Sequence, residues 1–221
     1  MSIDAADPTR DCPRCPRLVA FRERHRVAEP SWHNAPVPSF GSLTARLLVV
    51  GLAPGLKGAN RTGRPFTGDY AGELLYPTLI KYGFAVGSYG ARPDDGLALR
   101  DCRITNSVRC VPPENKPELA EVVACRPFLA GEIAAMPALR IVLALGSLAH
   151  GAVLATLGEV RARYPFGHGA IRPLGGGLLL ADSYHCSRYN TNTGKLTAAM
   201  FEAVFAVLRE RLDDTAEKRR E

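Results

Sequence analysis

Six cysteines offer the first chemistry in this 221-residue sequence. Cys12 and Cys15 form a C-x-x-C pair, and Cys110 and Cys125 follow much later in the chain. Four thiolates are a ligand set for Zn²⁺ or for a [4Fe–4S] cluster. Because the second pair is widely split, the spacing favours a cluster docked between segments over a zinc ribbon. Zinc and unliganded thiols remain the alternatives.

The other two cysteines are weaker candidates for a functional role. Cys102 lies inside an apolar run and is expected to be a buried small hydrophobe. Cys186 follows His185, so a nucleophile is one interpretation. Consecutive residues rarely point at each other, however, and no other base is apparent, so this interpretation is disfavoured.

A glycine-rich loop at positions 51–72, GLAPGLKGANRTGRPFTGDYAG, follows a short apolar run. The loop lacks the G-x-G-x-x-G pattern of dinucleotide sites. Its later glycines have P-loop spacing, but Asp69-Tyr70 stands where Lys-Ser/Thr is required. An acid there would repel a triphosphate, so nucleotide hydrolysis by this loop is disfavoured.

The same loop contains side chains that suit a nucleic acid. Phe66 can stack on a base, Arg61 and Arg64 can contact phosphate, and Asp69 can orient water. The alternative is purely structural, with Phe66 in the core and Asp69 as the N-cap of the next helix.

Two further polar loops carry candidate site residues. The stretch 182–194 contains His185, a candidate general acid or hydrogen-bond donor. The stretch 109–115 ends at Asn115, whose amide can donate and accept together. A loop histidine satisfied by backbone is the structural alternative for His185.

Alternating strand and helix patterns position these loops. Short apolar runs predict strands at Leu47–Val50, Cys102–Val108, Ile141–Leu145 and Leu178–Ala181. Helical patterns cover Pro16–Arg26, Ala71–Tyr82, Pro117–Met136, Ser147–Leu157 and Thr193–Leu212. Strands that alternate with helices predict a parallel sheet covered on both faces, with sites at the carboxyl ends of its strands.

Composition and charge narrow the class of protein. Apolar residues make up 46% and charged residues 23%, as in ordinary globular proteins. The net charge of +6 favours an anionic partner, with nucleic acid first. The absence of an apolar run of about 18 residues predicts no membrane span. The N-terminus lacks signal and transit patterns, so we expect a cytoplasmic protein.

Taken together, the motifs resemble the uracil-DNA glycosylase superfamily, within it the iron–sulfur branch, and most closely family 5, the type-b enzymes. The likeness runs from about Cys12 to about Val207. Related family 4 enzymes carry Gly-Glu-Ala-Pro-Gly, whose acid helps to activate water. This chain has Leu52 in place of that acid, which is the mark of the type-b group, and Cys186 in place of the proline of other branches.

The resemblance implies a fold and a set of roles. The fold is a three-layer α/β/α sandwich around a central four-stranded parallel sheet, with a [4Fe–4S] cluster. It comprises one domain over 1–221, with an N-terminal arm at 1–45 and a frayed tail at about 213–221. The implied residues are Asp69, His185 and Asn115 for catalysis, Ala53, Phe66, Asn115 and His185 for the base, Arg61, Arg64, Arg188 and Tyr189 for DNA contact or wedge, and Cys12, Cys15, Cys110 and Cys125 for the cluster.

The implied function is base excision repair by a monofunctional DNA glycosylase. The enzyme flips a deaminated base out of DNA and hydrolyses its N-glycosidic bond, leaving an abasic site. Uracil, hypoxanthine and xanthine are the candidate bases, and the protein is expected to act as a monomer. The competing hypotheses are an iron–sulfur DNA-binding module without catalysis and a zinc-ribbon hydrolase.

Overall fold

The computed structural model describes residues 7–217. Its strands, in chain order, are β1 (Leu47–Gly51), β2 (Ala85–Val86), β3 (Ala98–Leu99), β4 (Cys102–Asn106), β5 (Ile141–Leu145), β6 (Ile171–Pro173) and β7 (Leu179–Ser183). Its helices are α1 (Pro16–Ala28), α2 (Ala59–Thr62), α3 (Tyr70–Lys81), α4 (Leu119–Ala134), α5 (Ser147–Leu157), α6 (Arg188–Asn192) and α7 (Ala198–Glu217).

The main sheet has the order β4-β1-β5-β7-β6. Strands β4, β1, β5 and β7 are parallel to one another. They correspond to the four predicted apolar runs, so the prediction of a parallel α/β sheet is confirmed. Because the four strands run the same way, the loops that follow them meet at one edge of the sheet.

Alternation along the buried strands divides the core into two layers. Leu47 and Val49 of β1 belong to one cluster with residues of α3 and α7, whereas Leu48 and Val50 belong to another with residues of α4 and α5. Successive side chains of a strand point to opposite faces, so each face receives its own helices. This arrangement gives the expected three layers.

Two strand features are absent from the prediction. The fifth strand of the main sheet, β6, has three residues and pairs antiparallel with β7. It ends in Pro173, which lacks an N–H and is suited to an edge strand. Strands β2 and β3 form a separate antiparallel pair within the segment that joins α3 to β4. Strands of two or three residues are too short to give a hydrophobic period.

The predicted helices form with shifted ends. The largest shift concerns the last helix, which was expected to begin at Thr193. Ser187 instead caps the short α6 by accepting from the Asn190 backbone N–H, and α7 begins only at Ala198. Helix α7 continues to Glu217, inside the stretch predicted to be frayed, and residues 218–221 lie outside the described part.

A buried ion network joins the N-terminal arm to the sheet. The carboxylate of Glu132 on α4, fully buried, accepts from Arg103 on β4 and Arg109 after it, both at 2.6 Å. Arg109 also donates to Asp7 at 2.7 Å. Removing one partner of such a network leaves a buried charge uncompensated, so the network fixes the position of the loop after β4.

None of the helices described over residues 7–217 is both long enough and apolar enough to cross a membrane.

Candidate active site

A cleft of about 310 Å³ opens where the loops after β1, β4 and β7 come together. It is lined by Leu52, Ala53, Pro54, Gly55, Phe66, Asp69, Tyr70, Ala71, Asn106, Asn115, His185, Ser187 and Arg188. The predicted site residues that line it are Ala53, Phe66, Asp69, Asn115, His185 and Arg188.

Phe66 forms an inner wall of the cleft. Its backbone has a φ of +52°, an uncommon conformation for an aromatic residue, and its side chain is buried. The ring approaches the β1 backbone so closely that a Cβ added at Gly51 would overlap it. Glycine at position 51 therefore allows the ring to pack directly against the end of β1. The ring is both a core residue and a cleft residue.

Asp69 both caps a helix and lines the cleft. Its carboxylate caps α3 by accepting from the Gly72 backbone N–H at 3.3 Å, and it also lines the cleft. Burial raises the pKa of Asp69 above its ordinary value. Gly58 lies so close to the carboxylate that a Cβ there would overlap Asp69 Oδ2. The absence of a side chain at position 58 therefore leaves room for the acid.

His185 enters the cleft from the loop after β7. Asn190 donates from Nδ2 to the His185 carbonyl at 2.8 Å, which ties this loop to α6. Burial lowers the pKa of His185 to about 4, so the imidazole is neutral at pH 7. Its ring centroid lies 6.1 Å from that of Phe66, with an interplanar angle of 34°. A neutral imidazole can donate one hydrogen bond without carrying a charge.

Asn106, the last residue of β4, is a cleft residue that the sequence analysis missed. It is 3% exposed, and its Oδ1 has no hydrogen-bond partner among the described residues. A buried amide oxygen without a partner is costly and calls for an explanation such as a ligand or water. In the sequence it follows two other polar residues of β4, Arg103 and Thr105, so nothing in the strand pattern sets it apart.

Asn115 lies at the rim of the cleft and is exposed to solvent. Its backbone has a φ of +57°, which asparagine tolerates better than most residues. Ala53 lines another stretch of the cleft, in the loop directly after β1. Both residues line the cleft, but Asn106 is the buried amide.

The predicted DNA-contacting residues occupy different environments. Arg188 lines the cleft, with its guanidinium 5.3 Å from the ring centroid of Tyr70. Tyr189 is 74% exposed, as a residue that enters a duplex would have to be. Arg61 is exposed on α2 and lies outside the lining of the cleft.

Arg64 requires a correction. Its side chain is 6% exposed and donates to both carboxylate oxygens of Asp95, at 2.8 and 2.7 Å. The Nε atom donates to Thr67 Oγ1 at 2.7 Å. Because these donors are already bound inside the protein, the structure contradicts the expectation that Arg64 contacts DNA phosphate.

A buried histidine–aspartate pair, which the sequence analysis missed, lies at the carboxyl end of β7. His150 Nδ1 lies 2.7 Å from Asp182 Oδ1, and His150 Nε2 lies 2.8 Å from the Tyr164 carbonyl oxygen. Burial raises the pKa of Asp182. The pair links α5 to the strand that leads into His185, and it lies outside the cleft lining.

A second cleft of about 390 Å³ adjoins the first, and Leu52 and His185 line both. Its other lining residues are Leu145, Gly146, Ser147, Leu148, Phe166, Tyr184, Asn190 and Lys195. The two clefts together form a continuous surface along the carboxyl edge of the sheet.

The four candidate cluster cysteines come together in space. Cys12, Cys15, Cys110 and Cys125 line one cavity, with apolar neighbours that include Leu18, Val108 and Phe128. In the described part of the chain, no group of three or more His, Cys, Asp or Glu residues is arranged to hold a metal ion.

Two N–H donors contact cysteine sulfurs at this cavity. The Arg22 side chain is 3% exposed, and its Nη1 lies 3.8 Å from Cys110 Sγ. Its Nε is buried without a hydrogen-bond partner among the described residues. The Arg109 backbone N–H donates to Cys125 Sγ at 3.4 Å. A guanidinium and a backbone N–H that contact cysteine sulfurs suit thiolates that carry an anionic cluster.

The remaining cysteines are inert by environment. Cys102 is 1% exposed, which confirms its expected place in the core. Cys186 is fully buried, and burial raises the pKa of its thiol. A buried thiol of raised pKa is a poor nucleophile, so the disfavoured interpretation of Cys186 gains no support.

Comparison with known proteins decides the family. Residues 38–209 match the family model described as "Uracil DNA glycosylase superfamily". The chain belongs to the uracil-DNA glycosylase superfamily. Every residue that lines the cleft falls within this match, whereas Cys12 and Cys15 precede it.

Curated relatives place the chain beside one group within the superfamily. A "Type-5 uracil-DNA glycosylase" of Thermus thermophilus is 48% identical, over 86% of this chain and 89% of its own length. One of Pyrobaculum aerophilum is 42% identical, over 92% of this chain and 89% of its own. A "Type-4 uracil-DNA glycosylase" of the same organism is 34% identical, over 68% of this chain and 63% of its own.

Membership in the uracil-DNA glycosylase superfamily gives the activity class. The protein is a DNA N-glycosylase, a hydrolase of N-glycosidic bonds in DNA. The similarity to type-5 enzymes confirms the resemblance drawn from the loop motifs.

Proposed function

We propose that the protein removes uracil from DNA and leaves an abasic site. The glycosidic bond of a stacked base is inaccessible, so the nucleotide must be extruded into the cleft. The observation that carries the proposal is the unpartnered Oδ1 of Asn106, buried in a cleft that Phe66, Asp69 and His185 also line. This combination supplies recognition, stacking and two chemically useful groups around one cavity.

Recognition of the base is assigned to Asn106 and Phe66. An amide presents a donor and an acceptor side by side, which matches O4 and N3–H of uracil. The unpartnered Asn106 Oδ1 would accept from N3–H. Phe66 supplies a flat face for stacking. Asn115 and the Ala53 backbone N–H, at the edges of the cleft, would contact the base or help to place water.

His185 stabilises the leaving group in this proposal. As the glycosidic bond breaks, negative charge develops on the departing base. An N–H donated by the neutral imidazole to uracil O2 would strengthen as that charge grows. The lowered pKa of His185 supports this role, because a neutral donor does not have to lose a proton to the base.

Asp69 acts on the other side of the bond. Its carboxylate would orient the attacking water and stabilise the positive charge that develops on the sugar. The contact with Gly58 and the α3 cap fix the carboxylate, which supports a positioned role. Water then adds to the sugar carbon and gives up a proton to the Asp69 carboxylate, while the base departs with the bonding electrons. The base anion afterwards takes up a proton from solvent, and Asp69 returns its proton to solvent.

Contacts to the DNA strand are assigned to the exposed groups near the cleft. Arg188 lies at the cleft and Tyr189 beside it, where they would fill the gap left by the extruded nucleotide. Arg61 would contact phosphate from α2. Lys195 in the adjoining cleft offers a further positive charge along the strand. Such contacts make affinity depend on salt.

A [4Fe–4S] cluster held by Cys12, Cys15, Cys110 and Cys125 completes the proposal. Support comes from the shared cavity and from the N–H groups of Arg22 and Arg109, which donate to the sulfurs of Cys110 and Cys125. When bound, the cluster would cross-link the N-terminal arm to the loop after β4. Its role is structural, and no step of the hydrolysis uses it.

The range of bases is tested by incubating the protein with duplexes that contain one uracil, hypoxanthine, xanthine or thymine, followed by alkali. We expect a strand break at uracil. Hypoxanthine and xanthine are tested as further candidate bases, and thymine is the comparison. A break at none of these bases would contradict the proposal and favour a DNA-binding role. Iron analysis belongs beside this assay, because zinc alone would contradict the cluster assignment.

A further inference from the structure

The segment between α3 and β4 contacts the loop that carries Phe66 through two side chains, Asp95 and Tyr89. This segment, residues 82–101, carries the β2–β3 pair and lies outside the main sheet. Asp95 accepts from the backbone N–H groups of Gly90 at 2.9 Å and Leu97 at 3.1 Å. The carboxylate is therefore held in place by its own segment before any arginine is considered.

Arg64 donates to both carboxylate oxygens of Asp95. Both terminal nitrogens donate to Asp95, and the two side chains are 6% and 3% exposed. The guanidinium lies 5.3 Å from the ring centroids of Phe40 and Tyr76 and 6.0 Å from that of Tyr89. A planar guanidinium packed among aromatic rings and bound at both tips has little freedom to move.

The same arginine holds the loop that carries Phe66. Arg64 Nε donates to Thr67 Oγ1 at 2.7 Å, which closes the turn from 64 to 67 around Phe66. Tyr76 donates from its hydroxyl to the Pro65 carbonyl at 2.5 Å, and the Gly68 N–H donates to the Tyr89 hydroxyl at 3.3 Å. Residues before and after Phe66 are thus fixed, and Phe66 itself holds a left-handed backbone conformation.

We propose that Arg64 and Asp95 are positioning residues for base binding: their ion pair locks the 64–67 turn so that the Phe66 ring forms the pocket wall before DNA arrives. A phenylalanine with a left-handed backbone conformation persists only where its surroundings determine that conformation. The pair supplies part of that constraint, because it ties the turn to Asp95, in a segment that does not line the cleft. The inference rests on the proposed function of the cleft as a base pocket.

The test is a double-mutant cycle on single-turnover uracil excision at saturating enzyme. Asp95→Asn keeps the shape of the side chain and removes its charge, and Arg64→Gln removes the bidentate donor. Misplacement of a group that contacts substrate lowers rates by up to about a hundredfold, and we expect a loss of about tenfold or more for each variant. In a protein that already carries Phe66→Ala, each variant should lower the excision rate by less than about a further twofold, because the residue to be positioned is gone.

A matched control comes from the opposite end of the sheet. Arg46, just before β1, forms a more exposed arginine–aspartate pair with Asp101, with Nε donating to Oδ2 at 2.8 Å. Arg46→Gln should leave the excision rate within about twofold of wild type, because the pair lies far from the cleft and from the 64–67 turn. Affinity for an undamaged duplex should stay unchanged in Arg64→Gln and Asp95→Asn.

Equal losses in the wild-type and Phe66→Ala backgrounds would overturn the inference, as would reduced affinity for undamaged DNA. Arg64→Lys extends the test, because it keeps the charge but loses the bidentate geometry, and we expect it to resemble Arg64→Gln. If wild-type protein excises no uracil, the proposed function fails. If wild-type excision is normal but the effects are additive, only the positioning inference fails. Should Arg64→Gln not fold, Asp95→Asn carries the cycle alone.

Discussion

The rings of Phe66 and His185 lie close together in the cleft, with their centroids 6.1 Å apart and an interplanar angle of 34°. They come from distant parts of the chain, one from the loop after β1 and the other from the loop after β7. The unpartnered Oδ1 of Asn106 lies near the Phe66 ring, since both would contact a Cβ at Gly51. A flat base entering this space would meet an aromatic face, an amide and an imidazole.

Replacing His185 with Ala should lower single-turnover excision of uracil by about 10²–10³-fold, the usual loss when one charge-stabilising donor is removed. The rate is measured at saturating enzyme so that binding does not enter. His25→Ala on α1 is the matched control and should leave the rate unchanged. A His185→Ala rate equal to wild type would remove the residue from the mechanism.

Asp69→Asn separates the two roles of the acid. Asparagine caps helices about as well as aspartate, so the free energy of unfolding should change little. Excision should nevertheless fall by at least about tenfold, because a neutral amide neither orients water as a base nor stabilises a cationic sugar. Thermal unfolding and the single-turnover rate are measured together. Full activity in Asp69→Asn would leave the cap as the only role.

Gly58→Ala tests the same acid without altering it. The added Cβ would overlap Asp69 Oδ2, so the carboxylate must move. We expect a loss of excision similar in size to that of Asp69→Asn, and little further loss when the two changes are combined. Gly175→Ala, where an added Cβ meets no atom within 4 Å, is the control. Independent losses in the combined variant would argue against this contact.

The stability of the protein should depend on pH through His185. Burial lowers the pKa of His185 to about 4 in the folded state, against about 6.5 for an unperturbed histidine. The unfolded chain therefore binds the proton more readily, and folded-state stability is full above about pH 6.5 and is lost as the pH falls towards 4. Urea unfolding between pH 7 and 4 measures this loss, and His185→Gln should reduce its slope. An unchanged slope would contradict the lowered pKa.

The proposed cluster ligands are tested by the iron content of the purified protein. Cys110→Ser should lower bound iron and the visible absorbance of the purified protein, and it should reduce thermal stability because the N-terminal arm loses its anchor. Cys186→Ala, which changes a buried cysteine away from the cavity lining, should retain full iron content. Equal iron in both variants would rule out Cys110 as a ligand.

The sequence predicts the fold well because β1 and β5, which are buried on both faces, appear as continuous apolar runs. Strand β4 is equally buried although it carries Arg103, Thr105 and Asn106. The sequence predicts most of the cleft because Phe66, Asp69 and His185 follow apolar runs in polar loops. Asn106 was missed because its place at the end of a strand concealed its position in the cleft. Arg64 was assigned to DNA because its partner, Asp95, is 31 residues away in a segment without a clear period.

Excision of uracil through Asn106 is tested by the release of free uracil from a duplex containing one deoxyuridine, measured alongside strand cleavage after alkali. We expect wild-type protein to release uracil in step with the formation of alkali-labile sites. We expect Asn106→Ala to lose most of that release while binding undamaged DNA normally, because the buried amide would accept from N3–H of the base. Release of uracil at the wild-type rate by Asn106→Ala, or no release by the wild-type protein, would contradict the account.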